Sequence, residues 1–271
     1  MRHLLIDADI IAYMASAANQ KTWDWGDGVV TTKADEDAAK RQARDVIDRF
    51  MADLDAHKLT VCLSDDFENF RKDFFPAYKG NRRGVDRPVH LYDIKAYLAE
   101  AYPSASRARL EADDVMGIMA TEPGTGEDRI MVSADKDMKT VPGLLYRPQE
   151  CRAVLEITRE AADRFHLFQT VTGDPTDGYP GCPGAGKVAA ERAVDACVGA
   201  KRVEHMVARG PSRGELSEKW VQHTHETPWD AVVSLYAKAG LNEAAAITQA
   251  RCARILRHGE YDRRPILWKP R

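Results

Sequence analysis

Residues 3–11 read HLLIDADII, a short apolar run that ends on two aspartates, Asp7 and Asp9. An apolar run of this length followed by acids is typical of a buried β-strand that ends in carboxylates. The same pattern occurs twice more, at 59–63 before Asp65 and Asp66, and at 129–132 before Asp135 and Asp137. The sequence therefore predicts three buried strands, each followed by acidic residues.

Helical spacing separates these strands, at residues 10–18, 34–57, 89–102 and 111–120. Strands that alternate with helices predict an α/β fold, with a mostly parallel sheet and helices on both faces. Residues 144–146 and 155–157 are further strand candidates, and residues 24–32 predict a loop or small hairpin. From residue 159 the spacing is mostly helical, so we expect an α/β domain at 1–160 and a helical region at 161–271.

Acidic residues dominate the predicted strand ends. Ligands collect at the carboxyl ends of parallel strands, so these acids are expected to converge on one crevice. Further acids lie at a helix start (Glu111, Asp113 and Asp114) and in a later loop (Asp174 and Asp177). Crowded carboxylates repel one another unless cations lie between them, and oxygen ligands suit Mg²⁺ or Mn²⁺. Each acid alone could be a turn residue or helix cap, but five such motifs favour a metal site.

The overall composition indicates a globular protein. Hydrophobic residues make up 44% of the chain, and no apolar run approaches the ~20 residues that span a bilayer. Asp7 follows the start too closely for a signal-peptide core. The five cysteines form no C-x-x-C pair, which favours reduced thiols in a cytoplasm. His223 and His225 have no further ligands near them in sequence, so we interpret them as an ordinary polar pair.

Basic residues are clustered although the net charge is −3. Residues 71–87 contain six basic and two acidic residues, and residues 251–271 contain seven and two. Such strips are candidates for phosphate binding.

Two other motifs suggest different chemistry. Residues 181–187 fit the P-loop pattern G-x-x-x-x-G-K, but Val188 stands where Ser or Thr would hold Mg²⁺, and no strand is predicted before the loop. Asp7-x-Asp9 resembles the nucleophile pair of an aspartyl phosphotransferase, but Ile11 stands where Thr or Val is expected. Both interpretations are weaker than the metal site.

Five motifs in order resemble one family: LIDADIIAY, FRKDFFPAYKGNR, EADDVMG, VSADKDM and TGDPTDGYPGCPGAGKVAA. They are similar to the flap endonuclease/5′ nuclease superfamily, and most closely to the phage T7-type 5′–3′ exonucleases, from Leu4 to about Ala193. The resemblance implies a PIN-like/5′ nuclease fold with a C-terminal helix–hairpin–helix motif. It also implies a structure-dependent 5′–3′ exonuclease or flap endonuclease that hydrolyses DNA by a two-metal-ion mechanism.

The resemblance assigns roles to individual residues. Two Mg²⁺ ions, with Mn²⁺ as a substitute, would be held by Asp7, Asp65, Glu111, Asp113, Asp114, Asp135, Asp137, Asp174 and Asp177, with Asp66 as an alternative to Asp65. Lys79 and Arg82 would be catalytic, beside the scissile phosphate. DNA contacts would come from Arg71, Lys72, Tyr78 (stacked on a base), Arg83, Gly181, Gly184, Gly186 and Lys187. The three glycines would form the helix–hairpin–helix turn, which would also carry a K⁺ site.

The implied substrate is DNA with 5′ ends, duplex/single-strand junctions or flaps. We expect a monomer in the cytoplasm (of the host, if phage-encoded) that cooperates with replication proteins. The chain departs from the family pattern between Arg82 and Glu111, where it is shorter than the arch of larger relatives, and at Gly178 and Cys182. Residues after about 200 match no motif, so their helical expectation rests on periodicity alone. The alternative function is a non-catalytic duplex DNA-binding module that uses the helix–hairpin–helix.

Overall fold

The computed structural model describes residues 1–82, 84–150 and 153–270. Within these residues, no helix is both long and apolar enough to cross a membrane. The chain forms two compact units, each discontinuous in sequence, where two contiguous domains were predicted. The first unit comprises Met1–Phe70, Gly84–Arg159 and Ile255–Ile266, and the second comprises Arg71–Arg83, Glu160–Arg254 and Leu267–Arg271.

The first unit is built mainly from strands and helices that precede residue 160. The strands are β1 (Arg2–Asp7), β2 (Gln20–Asp24), β3 (Val30–Ala34), β4 (Lys58–Leu63), β5 (Ser104–Ser106), β6 (Asp128–Val132), β7 (Gly143–Tyr146) and β8 (Leu155–Ile157). The helices are α1 (Ala8–Ala18), α2 (Glu36–Asp53), α3 (Leu91–Ala101) and α4 (Ala112–Ala120). Six strands form one sheet in the order β5-β4-β1-β6-β7-β8, in which only the β7–β8 pair is antiparallel.

The sheet is covered on both faces, as predicted. Leu4 and Ile6 of β1 lie in a core cluster with Ile11 of α1, Ile47 of α2 and residues of α3. Leu5 is also fully buried but points to the opposite face, because side chains alternate along a strand. Helix α4 packs against β1, β4 and β6. Burial on both faces explains why β1 is a continuous apolar run.

The second unit is mostly helical but contains a long hairpin that the sequence did not predict. Its elements are α5 (Arg159–Thr172), α6 (Lys187–Ala196), β9 (Val198–Met206), β10 (Leu216–Thr224), α7 (Pro228–Lys238) and α8 (Glu243–Ala253). Strands β9 and β10 pair antiparallel over all nine residues. The helical expectation after residue 200 therefore fails at this hairpin, whereas α7 and α8 agree with it. Almost every residue of β10 is exposed, so this strand has no buried face to give an apolar alternation.

The segment 255–266 completes the first unit. It contains the two short strands β11 (Tyr261–Asp262) and β12 (Arg264–Pro265). The segment lies directly against α4, where a side chain at Gly117 would overlap the carbonyl oxygen of Leu256. Arg257 donates a buried 2.7 Å hydrogen bond to the carbonyl of Thr140. These contacts, distant in sequence, explain why a contiguous boundary near residue 160 does not describe the first unit.

Candidate active site

Three adjacent strands end at the same edge of the sheet. β1 lies between β4 and β6, and both neighbours are parallel to it. Asp7 pairs with Cys62, and Ile6 pairs with Val132. The acids that follow the strands therefore leave the sheet at one edge, where ligands of parallel sheets collect.

Asp7 is the buried centre of this edge, with 4% of its surface exposed. Its Oδ1 accepts the N–H of Ile10 at 3.2 Å, which caps α1, and its Oδ2 accepts the hydroxyl of Ser133 at 3.0 Å. Burial, followed by the charge of Asp9 and, more weakly, that of Asp135, raises the pKa of Asp7 to about 7, against the two hydrogen bonds. A positive charge at this position would stabilise the ionised carboxylate.

The start of α4 belongs to the same electrostatic neighbourhood. Burial, followed by the charges of Asp7, Asp113 and Asp9, raises the pKa of the Cys62 thiol. Because α4 packs against β1 and β4, its first turn brings Asp113 to the acidic edge. The structure thus collects carboxylates from β1, α1 and α4.

Glu111 and Asp114 have clear structural roles. They form a capping box at the start of α4, in which Asp114 Oδ2 accepts the N–H of Glu111 at 3.2 Å. Asp114 is fully buried, and its Oδ1 accepts the N–H of Leu256 at 3.1 Å. Helix capping, one of the explanations that the sequence left open, therefore applies to these two acids.

Asp65 organises the loop after β4. Its Oδ1 accepts the N–H groups of Phe67 at 2.9 Å and Glu68 at 3.2 Å, and its Oδ2 accepts that of Arg109 at 2.7 Å. These hydrogen bonds, that of Arg109 first, lower the pKa of Asp65. Asp65 is therefore held ionised by backbone donors.

Asp66 and Asp9 share a cation that sequence analysis missed. The ammonium of Lys95, on α3, contacts Asp66 and lies 2.9 Å from Asp9 Oδ1. Lys95 is buried beside the core residues Ile94 and Leu98. A lysine is almost never buried without an acidic partner. The partners of Lys95 are distant in sequence, so only the structure identifies them.

Asp135 caps a short 3₁₀ helix, Lys136–Thr140, that follows β6, and Asp137 lies in the first turn of that helix. Asp135 Oδ1 accepts the N–H of Asp137 at 2.8 Å. Asp137 Oδ1 lies 3.6 Å from the ammonium of Lys136. The D-x-D motif therefore begins where β6 ends, at the edge that holds Asp7.

In the second unit, Asp177 collects three residues of the basic strip. Tyr78 donates its hydroxyl to Asp177 Oδ2 at 2.7 Å, and Arg82 donates to Oδ1 at 2.9 Å. The ammonium of Lys79 lies 3.5 Å from Oδ1. Asp174, which is buried, accepts the N–H of Thr176 at 2.7 Å and so shapes the loop that carries Asp177. Lys79, Arg82 and two predicted metal ligands thus lie in one polar cluster.

Three predicted DNA contacts are wrong, because their groups are buried. Tyr78 is 2% exposed, so its ring cannot stack on a base. Arg71 is buried and donates to the carbonyls of Cys252 at 3.1 Å and Arg254 at 2.6 Å, at the end of α8. Gly181 is buried and donates its N–H to Gln249 at 2.9 Å. Its φ of +70° and its close approach to Gly173 leave no room for a side chain.

The other residues of the glycine-rich loop are accessible. Gly184, Gly186 and Lys187 are exposed at the start of α6, and Gly186 caps that helix without a side-chain hydrogen bond. The loop follows α5 and not a strand, so the P-loop alternative lacks its required context. Lys72 is also exposed. Arg83 lies outside the described residues.

Away from the strand ends, ligand atoms of Glu36, His90 and Asp93 lie within 4.8 Å of one another, close enough to share a metal ion. His90 Nδ1 lies 2.8 Å from Asp93 and 3.9 Å from Glu36. However, Lys40 already pairs with Glu36 at 2.6 Å, and the three residues lie at the starts of α2 and α3. Because a lysine already neutralises Glu36 and the Asp93 side chain is 54% exposed, this cluster suits a metal ion less well than the buried Asp7 does.

The first unit is an α/β domain with an acidic edge at the carboxyl ends of its strands. A family model described as "5'-3' exonuclease, N-terminal resolvase-like domain" matches residues 2–143. The exodeoxyribonuclease of Enterobacteria phage T3 is 34% identical and the exonuclease of Escherichia phage T7 is 33% identical. These matches cover 99% and 98% of this chain, and 93% of each relative. The chain therefore belongs to the 5′–3′ exonuclease family.

Solved structures share the fold. The flap endonuclease of bacteriophage T5, in a pseudo-enzyme–product complex with DNA and metal ions, is 16% identical with a TM-score of 0.55, covering 72% of this chain and 74% of that chain. The 5′-exonuclease of T5 with bound zinc is 14% identical with a TM-score of 0.55, covering 93% of both chains. At these identities the likeness concerns the fold, and it confirms the predicted α/β class.

Proposed function

We propose that the protein is a structure-dependent 5′–3′ exonuclease or flap endonuclease that hydrolyses DNA with two Mg²⁺ ions, for which Mn²⁺ can substitute. The observation that carries the proposal is the buried Asp7 at the centre of an edge where β1, α1 and α4 bring carboxylates together. The names of the phage T3 and T7 relatives support exonuclease activity. The T5 flap endonuclease, which was solved with DNA and metal ions, supports a DNA substrate and metal dependence.

The donor set fits a hard divalent cation. Asp7, Asp113, Asp135 and Asp137 supply carboxylate oxygens at the strand ends and at the start of α4, and we propose them as direct ligands. Such oxygens suit Mg²⁺ or Mn²⁺. A divalent cation would also replace the proton that burial favours on Asp7, so the repulsion among these acids would be relieved.

The remaining acids of the first unit are proposed to hold the ligands in place. Asp114 and Glu111 fix the first turn of α4, and Asp65 fixes the loop after β4. The hydroxyl of Ser133 orients Asp7, and Lys95 holds Asp9 together with Asp66. Ligands that are fixed by such contacts bind an ion without a large ordering cost.

The bound ions would supply positive charge that activates water for attack and stabilises the leaving 3′ oxygen. We propose that Lys79 and Arg82 bind a DNA phosphate and neutralise the charge that develops on it. Asp177 holds both cations at defined positions. The roles of Asp174 and Asp177 as metal ligands stay predictions from the family resemblance.

The start of α6 is the proposed helix–hairpin–helix contact. Gly184, Gly186 and Lys187 are exposed there, and the first backbone N–H groups of a helix attract phosphate oxygens. Such contacts hold duplex DNA without recognising its sequence. The K⁺ site, the monomeric state, the cytoplasmic location and the cooperation with replication proteins stay predictions.

A cleavage assay on 5′-labelled duplex, flap and single-stranded DNA, with and without Mg²⁺, tests the proposal. We expect Asp7→Asn and Asp135→Asn to lower cleavage by about 10²-fold or more while DNA binding persists. Asp45→Asn is the matched control, because Asp45 is exposed on α2. Turnover near that of the wild type in both variants would contradict the metal site. Binding without cleavage by the wild type would favour the non-catalytic module.

A further inference from the structure

The β2–β3 hairpin presents two exposed tryptophans. Trp25, in the turn, is 69% exposed, and Trp23, on β2, is 41% exposed. Val29 and Val30 beside them are also exposed. Tryptophan is usually well buried, since its large apolar surface is otherwise left in water. An exposed pair on one short hairpin therefore indicates a ligand with flat apolar surfaces.

One face of this hairpin is also basic. Lys21 lies directly opposite Lys33, and Trp23 lies directly opposite Thr31. Because side chains alternate along a strand, these four residues share one face, whereas Asp24 is on the other. Two lysines directly opposite each other have Cβ atoms about 5 Å apart. The repulsion between their ammonium groups destabilises the strand pair unless an anion lies between them. The face thus combines an aromatic ring with two opposed positive charges.

We infer that the β2–β3 hairpin binds single-stranded DNA, with bases stacked on Trp23 and Trp25 and phosphates held by Lys21 and Lys33. This inference rests on the proposed nuclease function, which supplies a DNA substrate. A single strand offers free base faces, whereas a duplex hides them in its stack. Stacking is sequence-tolerant because every base has such a face.

The hairpin is anchored at its base and open at its turn. Gln20 accepts the N–H of Val89 at 2.9 Å, which ties the start of β2 to the segment before α3. Arg87, in that segment, is exposed with its guanidinium over the ring of Tyr92. In the turn, Gly26 and Gly28 have φ of +85° and +78°, and no described atom lies within 4 Å of a Cβ added at either glycine. The base of the hairpin is therefore fixed, while its turn stays free for a ligand.

A protein partner is the competing occupant. The exposed tryptophans and valines alone would suit an apolar protein surface. Lys21 and Lys33 lie opposite each other on the same face, and no acidic residue stands among the paired residues of that face. These lysines favour a polyanion instead. Trp220, on the β9–β10 hairpin, provides a contrast, because it lies opposite Arg202 on a face that also carries Glu204 and Glu218.

Fluorescence anisotropy with labelled oligothymidylate, and with a duplex of equal length, tests the inference in EDTA. We expect Trp23→Ala and Trp25→Ala each to weaken single-strand binding by about 10-fold, with duplex binding unchanged. Trp25→Phe is expected to retain binding. Trp220→Ala is the matched control, because Trp220 is 37% exposed, and we expect no effect. Lys21→Ala and Lys33→Ala are expected to flatten the slope of log affinity against log salt by about 0.7 each.

Unchanged single-strand affinity in both tryptophan variants would overturn the inference. Equal weakening of single-strand and duplex binding, in variants with wild-type thermal melting, would also overturn it. Mg²⁺-dependent cleavage of duplex DNA is measured on the same variants. If cleavage persists while single-strand binding is unaffected, the hairpin assignment fails and the nuclease function stands. If the wild type does not cleave, the nuclease function fails, whereas the anisotropy result still decides the hairpin assignment.

Discussion

The hydroxyl of Tyr78 donates a 2.7 Å hydrogen bond to Oδ2 of Asp177, a residue 99 positions later in the chain. The other oxygen of Asp177 accepts from Arg82. Because Tyr78 is buried, a neutral donor fixes one side of the carboxylate and cations fix the other. The pair explains why a tyrosine inside a basic strip packs inward and does not bind a base.

Tyr78→Phe is expected to lower the free energy of unfolding by about 1–2 kcal/mol, because a partly buried carboxylate loses a donor. Urea denaturation measures the change. Tyr13→Phe is the control, since Tyr13 is exposed, and it is expected to leave stability unchanged. Equal stability of both variants would contradict a structural role for the Tyr78 hydroxyl.

Arg71→Met is expected to destabilise the protein by about 3 kcal/mol, because two carbonyls at the end of α8 lose a charged donor. Lys72→Met, one position later and exposed, is expected to keep wild-type stability and to weaken DNA binding. Chemical denaturation and DNA titration on both variants separate these outcomes. The reverse pattern would restore Arg71 as a DNA contact.

Gly186→Val is expected to weaken duplex binding to a similar extent for all sequences and to lower stability by only about 1 kcal/mol, because valine is a poorer N-cap residue than glycine. Gly186 has a φ of −86° and no described atom within 4 Å of an added Cβ. Gly181→Ala is expected to destabilise the fold instead, since its φ is +70° and a side chain would overlap residues 171–173. Anisotropy and thermal melting distinguish the two glycines. Unchanged duplex affinity in Gly186→Val would remove the start of α6 from the DNA interface.

The raised pKa of Asp7 predicts that the stability of the metal-free protein depends on pH. The pKa of Asp7 is raised from 3.8 to about 7, so the folded state binds the proton more tightly than the unfolded state does. The contribution of Asp7 to the free energy of unfolding is therefore highest below about pH 4. It falls as pH rises towards 7 and is constant above that. Asp7→Asn is expected to remove this fall, which amounts to a few kcal/mol at most. Denaturation curves in EDTA from pH 5 to 8 measure it, and parallel pH profiles for both proteins would contradict the assignment.

Lys79→Ala is expected to lower the single-turnover cleavage rate by about 10²-fold, and to lower DNA affinity much less. The proposed contact with the reacting phosphate would stabilise the transition state more than the ground state. Lys72→Ala is the matched control, because it removes a charge from the same strip. If the rate held while only affinity fell, Lys79 would be an ordinary backbone contact.

Sequence patterns predicted the acidic strand ends because an apolar run followed by aspartate is a local signal. They did not predict the Asp9–Lys95–Asp66 bridge, since a buried lysine depends on partners from other elements. The same holds for Arg71, whose acceptor at Cys252 is 181 positions away. The β9–β10 ribbon escaped detection because β10 is exposed along nearly its whole length, so no apolar period marks it.

The contact of Leu256 with α4 sets an order of events during synthesis. Asp114 accepts the N–H of Leu256 across 142 positions, and Gly117 leaves room for the Leu256 carbonyl. A ribosome must therefore translate Leu256 before the helix that carries Asp113 gains its cover. Domains that need late segments stay incomplete while the chain is nascent. A nascent chain that has not yet reached Leu256 thus carries an α4 whose Asp114 lacks one of its hydrogen-bond partners.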